Sequence, residues 1–416
     1  MNIAVIGTGY VGLTVGICLA SKGHEITCVD KNDERVRVLN KGAMPIHEPG
    51  LRELLKVSNV KFSTDIERAV SQSEICFVTV GTPQNEDGSA DLNCITEAVS
   101  QIAKAANGYK IVVIKSTVPP GTALKLHSIM QKLSKYPFDI VSNPEFLRQG
   151  VAVNDFLHPD RIIIGCENKK AARTIGKVYS LISKRVYYMD NTSAELVKCA
   201  SNSFLATRIS FINEIYNLCK RVGGDIDKVV EGMGADHRIG WGFFSPGIGY
   251  GGSCFPKDVR ALIQVGKDYS CNMSILKAVD KANEKQKQMF LNKIYRRFGK
   301  SLRGRIFTVW GLTFKAGTDD LREAPSLTVV NELIKRGATV KVYDPLMNNS
   351  FKDHFKGAIF SEDKESSLAD TSALIILTDW YGFSVNLNDY NIPVIFDGRR
   401  VFSASYAKAM GVEYHD

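Results

Sequence analysis

Several common features of protein sequences are missing from this chain. No Cys-x-x-Cys pair occurs among its nine cysteines, and no grouping of His and Cys has zinc-site spacing. We therefore expect no bound metal, reduced thiols and a cytosolic location. No apolar run approaches the roughly 18 residues of a membrane span, and the chain opens on a strand pattern without a basic leader, so we expect neither membrane insertion nor secretion.

Negative charge is the scarcer sign. The chain has 44 Asp and Glu residues and 53 Lys and Arg residues, which gives a net charge of +9. Part of the surplus lies in one run that contains Lys285, Lys287, Lys293, Arg296, Arg297, Lys300, Arg303 and Arg305. No nucleic-acid recognition motif accompanies the run, so we interpret it as a solvated helix and linker face and expect no nucleic-acid partner. With 416 residues, 44% of them hydrophobic, the composition predicts a soluble globular protein of two or three domains.

A glycine-rich turn follows the first predicted strand. Asn2–Ile6 is a short apolar run, and after the turn a helical pattern continues to a stop at Gly23. Strand, tight turn and helix therefore follow one another as in a dinucleotide-binding unit. The turn, from which we predict the cofactor contacts, is Gly7-Thr8-Gly9-Tyr10-Val11-Gly12.

The choice of cofactor depends on Asp30, which ends the next predicted strand 18 residues after Gly12. An acid there can bind the adenosine ribose hydroxyls and repels a 2′-phosphate, which favours NAD over NADP. Lys31 and Arg35 weaken that preference, although Arg35 could equally stack on the adenine. The alternative is a glycine turn that binds nothing.

Strand and helix patterns go on alternating through the first third of the chain. The predicted strands are Ile26–Val29, Ile75–Val80, Ile111–Lys115 and Phe138–Ser142, and the predicted helix is Leu92–Ala106. This alternation implies a parallel sheet, beyond whose carboxyl edge ligands bind. Thr82, Thr117 and Glu145 follow such strands, and we expect Glu145 to act as a base through water. For Thr82 a turn role is the alternative.

A long helical pattern occupies the middle of the chain. It begins at Thr192, where Thr192 and Glu195 predict a capping box, and it ends at Gly223-Gly224. About 30 residues give a helix of roughly 45 Å, long enough to join two domains. Lys198 and Asn202 share one face of it and are candidates to stabilise an oxyanion, or else to cap a neighbouring loop.

A cysteine follows a glycine run in Gly249-Tyr250-Gly251-Gly252-Ser253-Cys254-Phe255-Pro256-Lys257-Asp258. Pro256 suits the first position of a helix, which would place Cys254 at the positive end of the helix dipole. With Lys257 nearby, this position favours the thiolate and predicts a catalytic nucleophile. Asp258 would face the same space and handle a water or a proton. The alternative is a buried, inert cysteine in a glycine-rich turn.

An irregular, aromatic segment precedes this loop and predicts a substrate loop. It consists of Arg238-Ile239-Gly240-Trp241 and Phe243-Phe244-Ser245-Pro246-Gly247.

The last third repeats the strand–helix alternation. The predicted strands are Ile306–Trp310, Thr339–Tyr343, Ala373–Thr378 and Val394–Phe396, with a helix over Pro325–Lys335. The first turn of this second doubly wound domain lacks the dinucleotide fingerprint, so we expect a different ligand. Lys315, Arg322 and the pair Arg399-Arg400 provide cations that a pyrophosphate would require, although each alone could be a surface charge.

The predicted fold is therefore α/β, with two doubly wound (Rossmann-like) parallel-sheet domains joined by a long central helix. We place the domain boundaries at residues 1–191, 192–300 and 301–416.

These motifs resemble the UDP-glucose/GDP-mannose dehydrogenase family over essentially the whole chain. The resemblance rests on the glycine turn, Ser116-Thr117-Val118-Pro119, Asn143-Pro144-Glu145-Phe146-Leu147, Lys198 with Asn202, the Cys254 loop, and the segment from Lys315 to Arg322. It implies a four-electron oxidation of a sugar C6 alcohol to a carboxylate, with two NAD and a covalent thioester. A thiolate suits that chemistry, because a thiohemiacetal can give up a hydride.

The resemblance also implies a role for each matching residue. Cys254 would be the nucleophile, Glu145, Thr117 and Asp258 would manage protons and water, and Lys198 and Asn202 would hold the oxyanion. UDP-sugar contacts would come from Glu145 to Arg148 (Glu145, Phe146, Leu147, Arg148), Lys198, Asn202, Phe243 to Gly247, Tyr250, Gly251 and Lys315. NAD contacts would add Thr82, Thr117, Glu145, Lys257 and Arg322. Arg238 would reach across the interface of a homodimer to the partner's substrate.

Substrate identity stays open among related enzymes. Tyr250 and Phe255 around Cys254 resemble the UDP-glucose branch, whereas GDP-mannose and UDP-N-acetylhexosamine are the alternatives. A nucleotide-sugar-binding protein without catalysis is a hypothesis of another class, against which stand Cys254, Lys198, Asn202 and Asp258. A two-electron 3-hydroxyacid dehydrogenase would share the first domain and the long helix but would have no use for the cysteine loop.

Overall fold

The computed structural model describes residues 1–416. The chain forms two compact units, each built from two segments. The first unit comprises Met1–Ser201 and Ala261–Cys271, and the second comprises Asn202–Arg260 and Asn272–Asp416. The prediction of two doubly wound sheets is confirmed, one sheet in each unit.

The first unit is built on an eight-stranded sheet in the order β3-β2-β1-β4-β5-β6-β7-β8. Its strands are β1 (Asn2–Ile6), β2 (Glu25–Val29), β3 (Val60–Ser63), β4 (Ile75–Val78), β5 (Lys110–Ile114), β6 (Phe138–Ser142), β7 (Ile162–Gly165) and β8 (Val186–Met189). All neighbours pair in parallel except β6 with β7. Strands such as β4 and β5 are buried along their whole length, as expected of a parallel sheet covered on both faces.

Helices cover this sheet. They are α1 (Tyr10–Ser21), α2 (Asp33–Asn40), α3 (Leu51–Val57), α4 (Ile66–Ser71), α5 (Asn93–Ala105), α6 (Thr122–Leu133), α7 (Ala152–Leu157) and α8 (Lys169–Val178). The period of apolar residues explains their packing: α5 buries Ile95, Ala98, Val99, Ile102 and Ala103, which form one stripe of a 3.6-residue helix.

Four helices follow in the middle of the chain: α9 (Asn191–Val222), α10 (Ile226–Gly234), α11 (Phe255–Asp268) and α12 (Ser274–Phe298). Helix α9 has 32 residues and carries the chain from the first unit into the second, as predicted. None of the sixteen α-helices has the length and apolarity that a membrane crossing requires.

The predicted capping box at the start of α9 is wrong. Asp190 takes that role, because its carboxylate accepts hydrogen bonds from the amide and the hydroxyl of Ser193. Glu195 instead accepts the amides of Gly121 and Ala123, at 2.7 and 2.8 Å, and so caps α6. Burial raises the pKa of Glu195 to about 7. A residue that a local pattern assigns to its own helix thus stabilises a neighbouring one.

The second unit contains a six-stranded, all-parallel sheet in the order β11-β10-β9-β12-β13-β14. Its strands are β9 (Ile306–Trp310), β10 (Thr339–Tyr343), β11 (Ile359–Phe360), β12 (Ala373–Ile376), β13 (Val394–Asp397) and β14 (Glu413–His415). Its remaining helices are α13 (Pro325–Lys335), α14 (Asn349–His354), α15 (Lys364–Ser367) and α16 (Ala404–Ala409). Trp310, Phe307 and Phe396 are fully buried in the packing around this sheet.

The basic run from Lys285 to Arg305 is only partly a solvated face. Lys287 is 4% exposed and donates to Glu284, and Lys293 is partly buried and donates to the backbone carbonyl of Asp416. Both lysines lie on the side of α12 that packs against the rest of the second unit. The other six cations of the run are exposed, as expected.

Candidate active site

The glycine turn of the first unit fits a dinucleotide. Gly7 has φ +100°, and a Cβ on Gly12 would lie 1.9 Å from the carbonyl oxygen of Gly7, so neither position accepts a side chain. A Cβ on Gly9 would meet nothing within 4 Å, which leaves open space at the start of α1. No side chain caps that helix and its first turn holds no acid, so its amides are available to an anion such as a pyrophosphate.

Asp30 lies at the end of β2, beside this turn. Its Oδ2 accepts hydrogen bonds from the amide and the hydroxyl of Thr8, at 2.8 and 2.7 Å, and its Oδ1 accepts the amide of Asn32. Burial raises the pKa of Asp30, but these bonds and Arg35, 3.8 Å away, outweigh it, and the pKa falls below the usual value. Asp30 is therefore ionised, and Arg35 is the cation beside it.

Thr82 and Thr117 come together at the carboxyl edge of the sheet. The hydroxyl of Thr82 donates to the carbonyl oxygen of Thr117 at 2.8 Å, and Thr82 is buried. Thr82 thus fixes the loop that follows β5, and the side chain of Thr117 stays partly accessible.

Glu145 and Lys198 form an ion pair in the first unit. Lys198 Nζ lies 3.0 Å from Glu145 Oε1, and the two side chains are 4% and 6% exposed. Oε2 accepts the amide of Leu147 at 2.5 Å. Burial raises the pKa of Glu145, but Lys198 and the Leu147 amide outweigh it and hold the pKa below its usual range. The pair presents a carboxylate and an ammonium group in a nearly dry position, where electrostatic interactions are strong.

The residues after Glu145 are held from several sides. The guanidinium of Arg161, unassigned by the sequence, stacks 3.8 Å from the ring centre of Phe146. Arg148 forms a two-pronged ion pair with Asp155, at 2.6 and 2.9 Å, and remains exposed. Leu147 and Phe146 are partly buried.

The cysteine loop of the second unit is fixed by its glycines and by Asn283. A Cβ on Gly251 would lie 2.2 Å from the carbonyl oxygen of Glu323, so only glycine fits there. The amide and the carbonyl of Tyr250 bond to Asn283 at 2.9 and 3.0 Å. The amide of Gly252 donates to the carbonyl of Arg322 at 2.8 Å. The loop therefore has one well-determined conformation.

Cys254 immediately precedes α11, which begins at Phe255, so that Pro256 is its second residue and not the predicted first. The carbonyl of Cys254 accepts the amide of Asp258 at 2.8 Å, the first bond of the helix, and the Cys254 Sγ lies 3.6 Å from the hydroxyl of Ser253. The residue is partly exposed, in contrast to Cys28, which is fully buried and whose pKa burial raises to about 12. Cys254 is thus a partly exposed thiol at the N-terminus of α11, and its role as a nucleophile stays a prediction.

Asp258 bridges two predicted site residues. Its Oδ1 accepts from Lys257 Nζ at 2.7 Å, and its Oδ2 accepts from Asn202 Nδ2 at 2.6 Å. The side chain of Asp258 is 2% exposed. Asn202, Lys257 and Asp258 thus form one hydrogen-bonded group, in which Lys257 and Asp258 lie within one turn of Cys254 on α11 and Asn202 comes from α9.

The predicted substrate loop contains both exposed and buried residues. Phe243 and Ser245 are exposed, whereas Phe244 and Pro246 are buried. The amide of Gly247 donates to Asn213 Oδ1 at 2.8 Å. Tyr250 is buried with its ring edge-on to Phe255, and Arg238 is exposed and paired with Asp236. The side chains of Phe244 and Tyr250 are thus buried in the packing of the loop, whereas the side chain of Arg238 is accessible to solvent.

Cations converge near this loop in the second unit. The guanidinium of Arg399 donates to the carbonyls of Leu377, Gly249 and Phe314. Burial lowers the pKa of this group. The Nζ of Lys315 lies 5.9 Å from the ring centre of Phe314. Arg322 is exposed and bound to Asp320, which raises its pKa, with a smaller electrostatic contribution from Cys254. Arg400 pairs with Asp227 instead.

Sequence reasoning missed two residues that determine these geometries. Asn283 is 2% exposed on α12, at a position where the apolar period of the helix calls for a hydrophobic residue. Lys115 is 5% exposed and donates to Asn143 Oδ1 and the hydroxyl of Tyr179. For Lys115 the available signal was a polar residue at the end of a predicted buried strand, whereas the helix that carries Asn283 was not predicted.

No group of three or more His, Cys, Asp or Glu side chains is arranged to hold a metal ion.

Three family models match the chain in succession. They describe the NAD binding domain (residues 1–183), the central domain (192–285) and the UDP binding domain (308–404) of the UDP-glucose/GDP-mannose dehydrogenase family.

Named relatives and solved structures are similar over the full length. The chain is 42% identical to the UDP-glucose 6-dehydrogenase YwqF of Bacillus subtilis, covering 100% of this chain and 97% of that protein. It is 38% identical to the UDP-glucose 6-dehydrogenase of Pseudomonas aeruginosa, with coverages of 100% and 96%. A UDP-glucose dehydrogenase structure from the hyperthermophilic archaeon Pyrobaculum islandicum matches with a TM-score of 0.93 and 37% identity, covering 100% of this chain and 96% of that one.

Proposed function

Because the chain belongs to the UDP-glucose/GDP-mannose dehydrogenase family, we propose that it oxidises UDP-glucose at C6 to UDP-glucuronate. It is an NAD-dependent oxidoreductase that acts on a nucleotide sugar. The reaction removes four electrons from each substrate and reduces two NAD. The observation that carries the mechanism is Cys254, a partly exposed thiol that a rigid glycine loop presents at the start of α11.

The glycine turn and Asp30 hold NAD in this proposal. The amides at the start of α1 bind the pyrophosphate, and Asp30 binds the adenosine ribose, with Arg35 beside it. Thr82, Thr117, Glu145, Lys257 and Arg322 complete the set of cofactor contacts. Bound NAD supplies the hydride acceptor for each of the two oxidations.

In the first oxidation the C6 hydroxyl loses its proton. Glu145 receives this proton through a water, because its carboxylate is ionised and because it follows β6 at the sheet edge where Thr117 follows β5. Lys198 stabilises the oxygen as it gains negative charge, since its ammonium already lies in the buried pair. C6 also gives up a hydride in this step, which bound NAD would accept, and the product is the C6 aldehyde.

In the second oxidation the thiolate of Cys254 adds to the aldehyde carbon and forms a thiohemiacetal. Loss of hydride from that carbon gives a thioester. Asn202 and Lys198 hold the oxyanion of each tetrahedral species. The helix N-terminus and the nearby guanidinium of Arg322 favour the thiolate that begins this step.

Hydrolysis releases the acid. Asp258 takes a proton from the attacking water, which adds to the thioester carbon, and the C–S bond breaks to return the Cys254 thiolate. Asn202 and Lys257 hold both oxygens of Asp258 in place for this task. The products are UDP-glucuronate and the Cys254 thiolate, and the proton taken from water remains on Asp258.

The UDP portion of the substrate binds in the second unit. Lys315 and Arg399 bind the pyrophosphate in this proposal, because the hydrogen bonds of the Arg399 guanidinium go to neutral backbone carbonyls. The segment Phe243–Gly247 and Gly251 contact the nucleotide sugar. The buried ring of Tyr250 packs against Phe255 in the same loop. Glu145 to Arg148 contact the sugar.

We propose a homodimer that buries one face of α9. Phe204, Phe211 and Leu218 recur at seven-residue intervals on that helix and are 61%, 45% and 54% exposed. Arg238 would then reach the partner's substrate. A cytoplasmic location and the division of labour among residues 1–191 (NAD), 192–300 (helix and cysteine loop) and 301–416 (UDP-sugar) belong to the same proposal.

The direct test is an NAD-reduction assay against UDP-glucose, UDP-N-acetylglucosamine, UDP-N-acetylmannosamine and GDP-mannose. We expect the highest kcat/KM with UDP-glucose and UDP-glucuronate as the product on anion-exchange chromatography. A higher kcat/KM with another sugar would reassign the substrate, and no reduction with any of them would indicate a binding protein.

A further inference from the structure

Arg208 of α9 has no ion-pair partner although it is partly buried. Its Nη1 donates to the carbonyl of Ile239 at 3.0 Å and its Nη2 donates to the carbonyl of Gly240 at 2.8 Å. Its guanidinium carbon lies 4.0 Å from the ring centre of Phe244. One side chain therefore contacts both ends of the segment 239–244, which is part of the predicted substrate loop.

This segment is strained and exposed, so it needs such support. Phe243 has φ +64° and is 37% exposed, which is an unfavourable conformation for a residue with a large side chain. Trp241 is 60% exposed and covers Gly234 of α10 with the edge of its ring. Phe244, under the guanidinium, is the buried anchor at 6% exposed.

The same segment also reaches the residue that follows the nucleophile. The rings of Phe243 and Phe255 are 6.0 Å apart, and Phe255 is adjacent to Cys254. A displacement of Phe243 would therefore disturb both the substrate loop and the packing that begins α11.

We propose that Arg208 is a positioning residue that holds the segment 239–244 in the conformation that binds the nucleotide sugar. Its planar fork matches two successive carbonyls while its face packs on Phe244. A lysine has the charge but cannot make all three contacts at once. The identity of the ligand rests on the proposed function, whereas the ordering of the segment does not.

The test compares Arg208→Lys and Arg208→Met with wild type, and Arg296→Met serves as the matched control. Arg296 is an exposed arginine of α12 with no role in the site. The first readout needs no ligand: the rate of tryptic cleavage after Arg238, located by mass spectrometry. We expect Arg208→Met to be cleaved about tenfold faster or more, as loss of an ordering contact permits local opening, and Arg208→Lys to be intermediate.

The second readout is steady-state kinetics. We expect the KM for UDP-glucose to rise about tenfold or more in Arg208→Met, with the KM for NAD changed less than about twofold, since uniform substrate binding is what is lost. Circular dichroism establishes that each variant is folded, and Arg208→Lys retains the charge if the Met variant does not fold.

Cleavage and KM values equal to those of wild type in Arg208→Lys and Arg208→Met would overturn the proposal. Equal falls in affinity for NAD and for UDP-glucose would overturn it too, because they would indicate a general loss of structure. If wild type itself reduces no NAD with any nucleotide sugar, the proposed function fails, and the cleavage rates still decide the role of Arg208.

Discussion

Asn202 donates its side-chain amide to Asp258 at 2.6 Å, and both residues are almost completely buried. The other oxygen of Asp258 accepts from Lys257. The carboxylate therefore has a fixed orientation and two donors that stabilise its charge. In the proposed mechanism Asp258 acts as a base on water, which requires a fixed orientation of the carboxylate.

Replacement of Asp258 by Asn should stop the reaction at the thioester. The amide keeps the size of the side chain but cannot take a proton from water, so hydrolysis should slow by about 10²- to 10⁴-fold. Intact-protein mass spectrometry of Asp258→Asn with UDP-glucose and NAD should show the added mass of one UDP-glucuronyl group. Loss of that mass on Cys254→Ala in the same background would locate it on the thiol. A variant that turns over at the wild-type rate without an adduct would remove Asp258 from the mechanism.

Replacement of Cys254 by Ala should abolish the acid product and leave the fold intact. The residue is only partly buried, so the lost sulfur leaves little cavity, whereas the thiohemiacetal cannot form. Cys271→Ala, which alters an exposed cysteine, is the control and should keep full activity. The measurement is UDP-glucuronate formation by chromatography. Acid formation at the wild-type rate by Cys254→Ala would exclude covalent catalysis.

Replacement of Lys198 by Met should destabilise the protein as well as slow the reaction. It leaves Glu145 buried without its cation, which typically costs about 3–5 kcal/mol of unfolding free energy. The double variant Glu145→Gln/Lys198→Met should recover part of that loss, because neither member of the pair is left charged without the other. Urea unfolding measures both free energies. If the single Met variant were as stable as wild type, the pair would contribute nothing to stability.

Lys115 should make stability depend on pH above neutrality. Burial lowers its pKa from 10.5 to about 7 in the folded protein. Between these two values the unfolded chain binds one proton more than the folded protein, so the unfolding free energy rises with pH, by at most about 1.4 kcal/mol per pH unit. The destabilisation that comes from burying the charged Lys115 is complete below the pKa of the folded protein, about 7. It disappears above the pKa of the unfolded chain, 10.5.

The measurement is urea unfolding of wild type and Lys115→Met from pH 7 to pH 9. The unfolding free energy of wild type minus that of Lys115→Met should increase as the pH rises. Lys125→Met, at an exposed lysine of α6, should parallel wild type. Parallel curves for wild type and Lys115→Met would mean that Lys115 keeps its ordinary pKa.

Much of the architecture follows from local sequence pattern. The strands Asn2–Ile6, Phe138–Ser142, Ile306–Trp310 and Thr339–Tyr343 and the helix Pro325–Lys335 match their predicted bounds, because each is an apolar or amphipathic run between clear turn or capping residues. Strands β7 and β8, and the antiparallel pairing of β6 with β7, were not predicted, since pairing direction depends on contacts distant in sequence.

The sequence indicated the residue types of the candidate site but not which of them pair. Glycine turns carry their own conformational signal, so Gly12 and Gly251 could be identified as sites of close approach. The partner of a buried polar residue has no such signal. Lys198 with Glu145, Asn202 with Asp258 and Glu195 with α6 each join positions more than 50 residues apart.

The stoichiometry of the reaction tests the central claim, which is that one thiol allows two successive oxidations at the same carbon. With UDP-glucose limiting and NAD in excess, NADH formed is measured by absorbance and UDP-glucose consumed by chromatography. The mechanism predicts two NADH for each UDP-glucose. A ratio of one, with aldehyde as the product of the wild-type protein, would contradict it.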